Sequence, residues 1–203
     1  MRRTVMPESM ILAAIAVCAI SIKPSQATNA TASIGATAPS FALQDQDGNE
    51  VRLADFSGKV VVLEWFNNDC PFVQRHYAAK TMATLAESFQ DQGVVWLAIN
   101  STHYATKENN KAWKEKYSLP YPILSDNSGE VGTTYAAKTT PHMYIIDKSG
   151  TLVYAGGIDD DPKGESKSPT NYVSKALQEV LAGSTVTTPE SKPYGCSVKY
   201  PQP

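Results

Sequence analysis

The chain has 203 residues, with 18 Lys and Arg against 20 Asp and Glu, and its formal net charge at pH 7 is −2. A nearly neutral chain with dispersed lysines argues against nucleic acid as a partner. It has no internal repeats, phosphate-binding glycine loop or metalloprotease motif, so we expect no cofactor and no metal.

Residues 1–27 have the pattern of an export signal. The basic pair Arg2-Arg3 precedes a mostly apolar run, Met10–Ile22, and Ser25-Gln26-Ala27 supplies the small residues that a signal peptidase needs. The apolar run is shorter than the roughly 20 residues that span a bilayer. We therefore predict a cleaved signal peptide, no permanent membrane span, and a periplasmic or extracellular protein.

The rest of the chain is long enough for one domain with its own core. Residues 28–37 are rich in Ala, Thr and Ser, and we expect them to form a flexible leader. The domain itself is predicted to cover residues 38–183. A Pro-rich tail of residues 184–203 follows and carries Cys196, which, with Cys70, is one of two cysteines left after cleavage.

The first predicted elements lead to Cys70. Phe41–Leu43 and Val51–Leu53 flank a glycine-containing turn, a pattern that indicates a β-hairpin. The Val-rich run Lys59–Phe66 indicates a strand buried on both faces. Apolar residues at helical spacing follow, beginning at Pro71, and predict a helix that ends near Gln92.

Strand and helix patterns alternate after that point. In chain order they are the strand Val94–Ile99, the helices Lys107–Tyr117 and Ser128–Ala137, a hairpin of His142–Asp147 and Thr151–Tyr154, and the helix Asn171–Leu181. Strand–helix–strand crossovers predict a parallel core, to which the late hairpin adds antiparallel strands. The sequence thus predicts a three-layer α/β domain with a mixed central sheet and an N-terminal hairpin.

Cys70 is the candidate nucleophile. It lies at the predicted N-cap of a helix, where free backbone N–H groups and the helix dipole favour a thiolate. The adjacent carboxylate of Asp69 disfavours that thiolate unless it points to solvent. The alternative is an inert buried cysteine, but reactive thiols are typical of a helix start after a buried strand.

The predicted strand ends gather further polar residues around Cys70. Asn67 and Asn68 either donate hydrogen bonds there or form the turn. His103 and His142 are candidates for proton transfer or thiolate stabilisation, although each is more often a plain polar residue. Asp159 begins an acidic run on the same rim, which we interpret as a solvated turn and not as a cation site.

Of two further residues on the Cys70 helix, His76 is expected to be structural and Arg75 to be solvated. His76 lies about 240° around a helix from Cys70, so it should point away from the thiol. Arg75 lies about 140° away and is expected to be solvated, although its long stem can reach back.

Cys196 has three possible roles. It is a free thiol on a mobile tail, half of a structural disulfide with Cys70, or a resolving thiol that attacks oxidised Cys70. An exported chain with two cysteines favours a Cys70–Cys196 bond. A copper site built from Cys70 and histidine lacks the usual second nearby cysteine, so we do not expect a metal.

Several segments resemble the thioredoxin superfamily, and more narrowly the redoxins related to alkyl hydroperoxide reductase and thiol-specific antioxidant proteins (AhpC/TSA). They are Ala38–Phe41, Leu53–Lys59, Cys70-Pro71, Thr140–Asp147 and the tail segment Lys192–Tyr200. The resemblance implies a thioredoxin-like three-layer fold. It also implies a cis Thr140–Pro141 bond beside Cys70 and a substrate groove shaped by those two residues, with Asn67 and Asn68 at its edge.

The chain also departs from both family patterns. Val73 stands where a thioredoxin-type dithiol has its second cysteine. Leu63 and Asn67 stand where a typical peroxiredoxin has Pro and then Thr or Ser, and no arginine follows Arg75. The resemblance therefore implies a thiol chemistry without indicating whether the substrate is a peroxide or a disulfide.

These observations predict an exported thiol-based oxidoreductase. Cys70 attacks a peroxide or a disulfide, Cys196 resolves the product, and an unknown thiol donor restores the reduced form. The alternative is a thioredoxin-like binding module in which a Cys70–Cys196 disulfide is only structural.

The signal pattern gives a first testable prediction. Because Ser25-Gln26-Ala27 offers a cleavage site behind an apolar run, exported protein should begin near Thr28. Intact-mass measurement of the exported chain checks this. A chain that retains Met1 and fractionates with membranes would contradict it.

Overall fold

The structure, a computed structural model, describes Met1 and residues 31–202. Apart from Met1, the predicted signal peptide of residues 1–27 lies outside the described residues. Residues 31–37, within the predicted flexible leader, are tied to the domain: Ala32 donates a backbone hydrogen bond to Thr134 at 2.9 Å and Gly35 to Leu152 at 2.8 Å. The prediction of a flexible segment did not anticipate these bonds.

The described chain alternates strands and helices around one main sheet. The elements are β1 (Ala42–Asp45), β2 (Glu50–Arg52), a 3₁₀ turn (Leu53–Phe56), β3 (Val60–Trp65), α1 (Pro71–Ala78), α2 (Thr81–Gln90), β4 (Val94–Asn100), α3 (Lys107–Tyr117), β5 (Ile123–Ser125), α4 (Glu130–Thr134), β6 (Thr139–Thr140), β7 (His142–Ile146), β8 (Leu152–Gly156), α5 (Tyr172–Leu181) and β9 (Cys196–Ser197). In this part of the chain, no helix has the length and apolar character needed to cross a membrane.

The main sheet has seven strands in the order β2-β1-β5-β4-β3-β7-β8. β3, β4 and β5 are parallel, whereas β7 pairs antiparallel with β3. Further antiparallel pairs join β1 to β5, β2 to β1 and β8 to β7, so that β2 and β8 are the edge strands. The predicted mixed sheet with an N-terminal hairpin is confirmed. β5 was not predicted, because this strand of three residues begins directly after Pro122 and is too short to show a period.

β3 lies at the centre of the sheet and is buried along its whole length. Val60 and Val62 face a core built with α1, α2, α3 and α5. Val61 and Leu63 face a second core, which includes residues next to α4 and the segment before β1. Alternate β3 side chains therefore serve the two outer layers, as a strand with two buried faces requires.

The predicted helix after Cys70 is interrupted. α1 ends at Ala78, and Lys80 takes a left-handed conformation with φ of 57° before α2 begins. The backbone N–H of Lys80 bonds to Tyr77 at 3.0 Å, which closes the last turn of α1. A lysine gives no sequence signal for such a break, since glycine is the usual residue there.

A carboxyl group is buried on β3. Glu64 is 0% exposed, and Trp96 Nε1 donates a hydrogen bond of 2.9 Å to its Oε2. Oε1 and the facing hydroxyls of Tyr77 and Tyr121 have no well-aligned partner among the described residues. Burial raises the pKa of Glu64 to about 7, although these neighbours act to lower it.

This carboxyl should make stability depend on pH. Its folded pKa of about 7 lies above its usual value of 4.5, so the folded state holds a proton that the unfolded state loses between these values. The stability contribution is present below about pH 4.5 and is lost as the pH rises towards 7. In denaturant titrations, Glu64→Gln should leave the free energy of unfolding nearly unchanged at pH 4. At pH 8 it should raise it by roughly 3 kcal/mol relative to the unsubstituted chain.

The comparison at two pH values separates this effect from packing. A packing defect in Glu64→Gln would lower stability by a similar amount at both pH values. Parallel pH profiles for the two proteins would contradict a buried, protonated Glu64.

Candidate active site

The turn after β3 fixes Cys70 at the start of α1. Asn67 is buried, and its Oδ1 accepts a hydrogen bond of 2.8 Å from the backbone N–H of Asp69. Its carbonyl oxygen accepts a further bond of 3.0 Å from the Cys70 N–H. The Asn68 carbonyl accepts a bond of 2.8 Å from the Gln74 side chain. Both asparagines thus take part in the turn, which is one of the two roles predicted for them.

The Cys70 thiol lies against the loop before β7. It is 1% exposed, and its Sγ donates a hydrogen bond of 3.0 Å to the Thr140 carbonyl oxygen. The Thr140–Pro141 bond is cis, as predicted. Because β7 runs antiparallel to β3, its start meets the end of β3, and the two segments bring Cys70 and Thr140 together.

The C-terminal tail brings Cys196 to the same place. β9 pairs antiparallel with β6, and Cys196 lies opposite Thr140 in that pairing. Both cysteines are free thiols, with Cys70 buried and Cys196 partly exposed. Thr140 therefore contacts both thiol-bearing residues, one through its carbonyl group and the other through strand pairing.

The two thiols differ in acidity. The pKa of Cys70 is lowered: burial acts to raise it, but hydrogen bonds to the thiolate from Cys196, from the Thr140 side chain and from the Val73 N–H outweigh burial. The pKa of Cys196 is raised to about 11, first by burial and then by its hydrogen bond to Cys70 and the charge there. Both shifts favour Cys70 over Cys196 as the thiolate.

Asp69 does not oppose the thiolate in the way its position in the sequence suggested. The side chain is exposed, and its Oδ2 accepts a hydrogen bond of 3.2 Å from the hydroxyl of Tyr104. Its carboxylate is not among the groups that shift the pKa of Cys70. The condition set by the sequence analysis, that Asp69 point outward, is met.

The tail was expected to be mobile, but the structure shows it docked on the domain. Pro189 accepts a backbone bond of 3.0 Å from Ala155 in β8, the last strand of the sheet. Beyond Cys196, the Val198 N–H donates to the Lys138 carbonyl at 3.2 Å. The tail has no periodic pattern, so only its fit to the domain reveals its order.

Tyr200 anchors the far end of the tail. Its hydroxyl donates a hydrogen bond of 2.8 Å to the Ala137 carbonyl. Its ring lies so close to α4 that a Cβ on Gly132 would come within 2.6 Å of the Tyr200 hydroxyl. The absence of a side chain at Gly132 makes room for this tyrosine.

A polar network holds the part of the tail that precedes Cys196. The Tyr194 hydroxyl donates to the Asp159 carboxylate in a short hydrogen bond and lies 2.9 Å from His76 Nε2. Arg75 donates to the carbonyl oxygens of Asp161 at 2.9 Å and Pro162 at 3.0 Å. His76 thus contacts the tail that carries Cys196, and the long side chain of Arg75 reaches the segment after β8.

No periodicity or motif in the sequence points to a role for Tyr194. Helix geometry correctly turns His76 away from Cys70, but it gives no information on which distant segment covers that face. The available signal was local, a tyrosine two positions before a cysteine in a tail with few other aromatic residues. Asp159, placed on the rim by the sequence, is in this network.

The two rim histidines lie elsewhere. The His103 ring is exposed and lies edge-on to Tyr104, and its backbone N–H bonds to the Lys199 carbonyl of the tail at 2.9 Å. His142 is buried with the core on the opposite face of the sheet from Cys70, where its Nδ1 accepts from the Lys138 N–H at 3.3 Å. Burial, with the charge of Lys138, lowers the pKa of His142 to about 4. The imidazole of His142 is thus neutral at pH 7 and is not directed at the thiols.

A surface depression adjoins the start of α1. It measures about 410 Å³ and is lined by Pro71, Phe72, Arg75, Pro162, Lys163 and Glu165. It is open to solvent, and its lining has two basic side chains and one acidic side chain but does not include Cys70.

Known proteins share both the sequence pattern and the fold. The model of the AhpC/TSA family matches residues 34–155. The thiol-disulfide oxidoreductase ResA of Geobacillus thermodenitrificans is 33% identical over 152 residues, which cover 74% of this chain and 85% of that protein. The chloroplastic peroxiredoxin Q of Suaeda salsa is 32% identical over 135 residues, which cover 62% of this chain and 61% of that protein.

Solved structures share the fold of this chain. The crystal structure of a hypothetical protein from Sinorhizobium meliloti 1021 has a TM-score of 0.78 at 31% identity, covering 85% of this chain and 97% of that chain. Thioredoxin-like disulfide oxidoreductases share the fold at 22% and 23% identity, with TM-scores of 0.55 and 0.54. The predicted thioredoxin-like fold is confirmed, and the chain belongs to the AhpC/TSA family of thiol-dependent oxidoreductases.

Proposed function

We propose that the protein is an exported thiol oxidoreductase in which Cys70 attacks the substrate and Cys196 resolves the product. The single observation that carries this proposal is the placement of Cys196 opposite Thr140, whose carbonyl oxygen accepts a hydrogen bond from Cys70. The signal pattern of residues 1–27 supports export, where a cysteine pair can cycle through a disulfide.

The first step uses Cys70 as a thiolate. With a hydroperoxide, the sulfur attacks one oxygen, the O–O bond breaks, and water or an alcohol leaves once a proton is supplied. Cys70 becomes a sulfenic acid. The lowered pKa of Cys70 favours the attacking form, and the hydrogen bonds of Cys196 and Thr140 favour it most.

The second step closes the disulfide. The Cys196 sulfur attacks the sulfenic sulfur of Cys70, the S–O bond breaks, and water leaves. Two thiols of an external donor then reduce the Cys70–Cys196 bond and are themselves oxidised to a disulfide. This cycle balances with one peroxide reduced for each donor disulfide formed.

The docked tail favours a small electrophile over a protein disulfide in the first step. The backbone edge at Thr140, where an extended polypeptide would pair, already carries Cys196. A protein substrate must displace this strand, whereas a hydroperoxide need only reach one sulfur. We therefore place the hydroperoxide first, and the exchange with a protein thiol in the reductive half of the cycle.

The hydrogen bond between the two cysteines gives a testable prediction for Cys70. Cys196→Ala removes a donor to the Cys70 thiolate, so the pKa of Cys70 should rise. Cys196→Ser keeps a hydroxyl donor and should raise the pKa less. Ultraviolet thiolate absorbance measured against pH checks both variants, and an unchanged pKa in Cys196→Ala would contradict this assignment.

The two-step mechanism gives a second prediction. After a single addition of hydrogen peroxide, the wild-type chain should form a Cys70–Cys196 disulfide, mapped by mass spectrometry. Cys196→Ser should instead accumulate Cys70 sulfenic acid, which dimedone traps, because the resolving thiol is absent. Cys70→Ser should consume no peroxide in a single turnover.

The outcomes separate this proposal from its rivals. If a protein disulfide oxidises Cys70 quickly while peroxide does not, the protein is a thiol–disulfide exchange enzyme. If Cys70 reacts no faster than an unfolded thiol with either oxidant, the disulfide is only structural and the chain acts as a binding module.

A further inference from the structure

Tyr194 lies at the centre of a polar network that no proposed catalytic step uses. Its hydroxyl gives its only proton to Asp159 Oδ1 and lies 2.9 Å from His76 Nε2. Arg75 Nη2 lies 3.2 Å from the same ring nitrogen and 3.4 Å from the hydroxyl. Arg75 lies beside both groups and directs its guanidinium to the carbonyl oxygens of Asp161 and Pro162. These bonds join the tail to α1 and to the segment after β8.

The network connects Cys196 to the helix that Cys70 begins. Cys70 is the N-cap of α1, and His76 lies in the last turns of the same helix. Tyr194 is two residues before Cys196 in the tail. The position of Cys196 relative to Cys70 is therefore set through α1 as well as through the pairing with Thr140.

Gly195, the residue between Tyr194 and Cys196, is packed closely against the backbone of Thr140. Gly195 has φ of 129°, and a Cβ there would lie 2.0 Å from the Thr140 carbonyl oxygen. Only glycine permits this approach of the tail to the backbone beside Cys70. Because Gly195 is packed against Thr140 between them, we expect a displacement of Tyr194 to shift Cys196.

We propose that Tyr194 and His76 are positioning residues that hold Cys196 against Cys70 and so set the rate at which the disulfide closes. This inference rests on the proposed function, since it concerns the resolving step. Tyr194 touches neither reacting sulfur and acts through the backbone of Gly195. The network should therefore affect closure and leave the first reaction of Cys70 unchanged.

Tyr194→Phe tests the hydroxyl alone. The phenyl ring keeps its packing against Phe72, whose ring centre is 6.0 Å away, while the bonds to Asp159 and His76 are lost. Losing one such anchor to a charged partner should slow closure about tenfold. Tyr200→Phe is the matched control, because it removes a tyrosine hydroxyl from the same tail outside the network and should slow closure by no more than about twofold.

The measurement uses the full mature chain and an aromatic disulfide, dithiobis(nitrobenzoate), so that it does not depend on peroxide chemistry. The first cysteine to react releases one thionitrobenzoate and keeps the other in a mixed disulfide. The thiol of the second cysteine then attacks the sulfur of the first cysteine in this mixed disulfide. The Cys70–Cys196 bond forms, and the second thionitrobenzoate leaves with the release of a proton. The first-order second phase reports closure, and the first phase reports access and acidity.

The result expected is a second phase about tenfold slower in Tyr194→Phe, with the first phase within twofold of wild type. His76→Gln should slow closure too, and the double variant should be little slower than Tyr194→Phe, because both residues act through one contact. Thermal unfolding of each variant shows whether a slower phase reflects loss of the fold.

Three outcomes would overturn the inference, each in a distinguishable way. If wild type shows no second phase, the cysteines do not meet and the proposed function fails with it. If wild type closes and Tyr194→Phe closes equally fast, the function stands and only the positioning role fails. If Tyr194→Phe and Tyr200→Phe slow closure equally, the tail is held by its overall burial and the network has no special role.

Discussion

Thr140 takes part in two contacts at once. Its carbonyl oxygen accepts a hydrogen bond from the Cys70 thiol, and its backbone pairs with the strand that carries Cys196. Two residues far apart in the sequence become neighbours through this single position, which the antiparallel pairing of β7 with β3 puts in place. The arrangement also means that the chain itself occupies the edge beside its reactive sulfur. Access to Cys70 and the presence of its partner thiol are therefore governed by the same strand.

The acidity of Cys70 depends on short-range donors and not on a nearby cation. Arg75 is directed at the carbonyl oxygens of the loop after β8, and Asp69 is turned towards Tyr104, so neither charge faces the sulfur. The groups that stabilise the thiolate are Cys196, Thr140 and one backbone N–H. Since hydrogen bonds fall off steeply with distance, a thiolate held in this way is sensitive to where the tail lies.

The sequence predicted most of the framework, because each major element has a strong local signal. The Val-rich run of β3, the proline that begins α1 and the glycine turns of both hairpins lie where they were expected. The break at Lys80 and the three-residue β5 were not predictable, since the first lacks a glycine and the second lacks a period. At the site, Cys70, Thr140 and Cys196 were identified, but their common environment depends on how an aperiodic tail docks. Glu64 is the one charged residue within the apolar run of β3. The sequence shows this, but only the structure shows that the carboxyl group is buried and that its pKa is raised.

The tail has a second consequence, for the behaviour of the sheet. β8 is the last strand of the main sheet, and Pro189 and Ser191 of the tail take up the backbone hydrogen bonds of Ala155 along it. An uncovered edge strand is a template for pairing with another chain, and proteins commonly shield such edges. The segment that carries Cys196 is thus also a cover for Ala155 on this edge strand. We expect any state in which the tail leaves the domain to expose this edge to pairing with another chain.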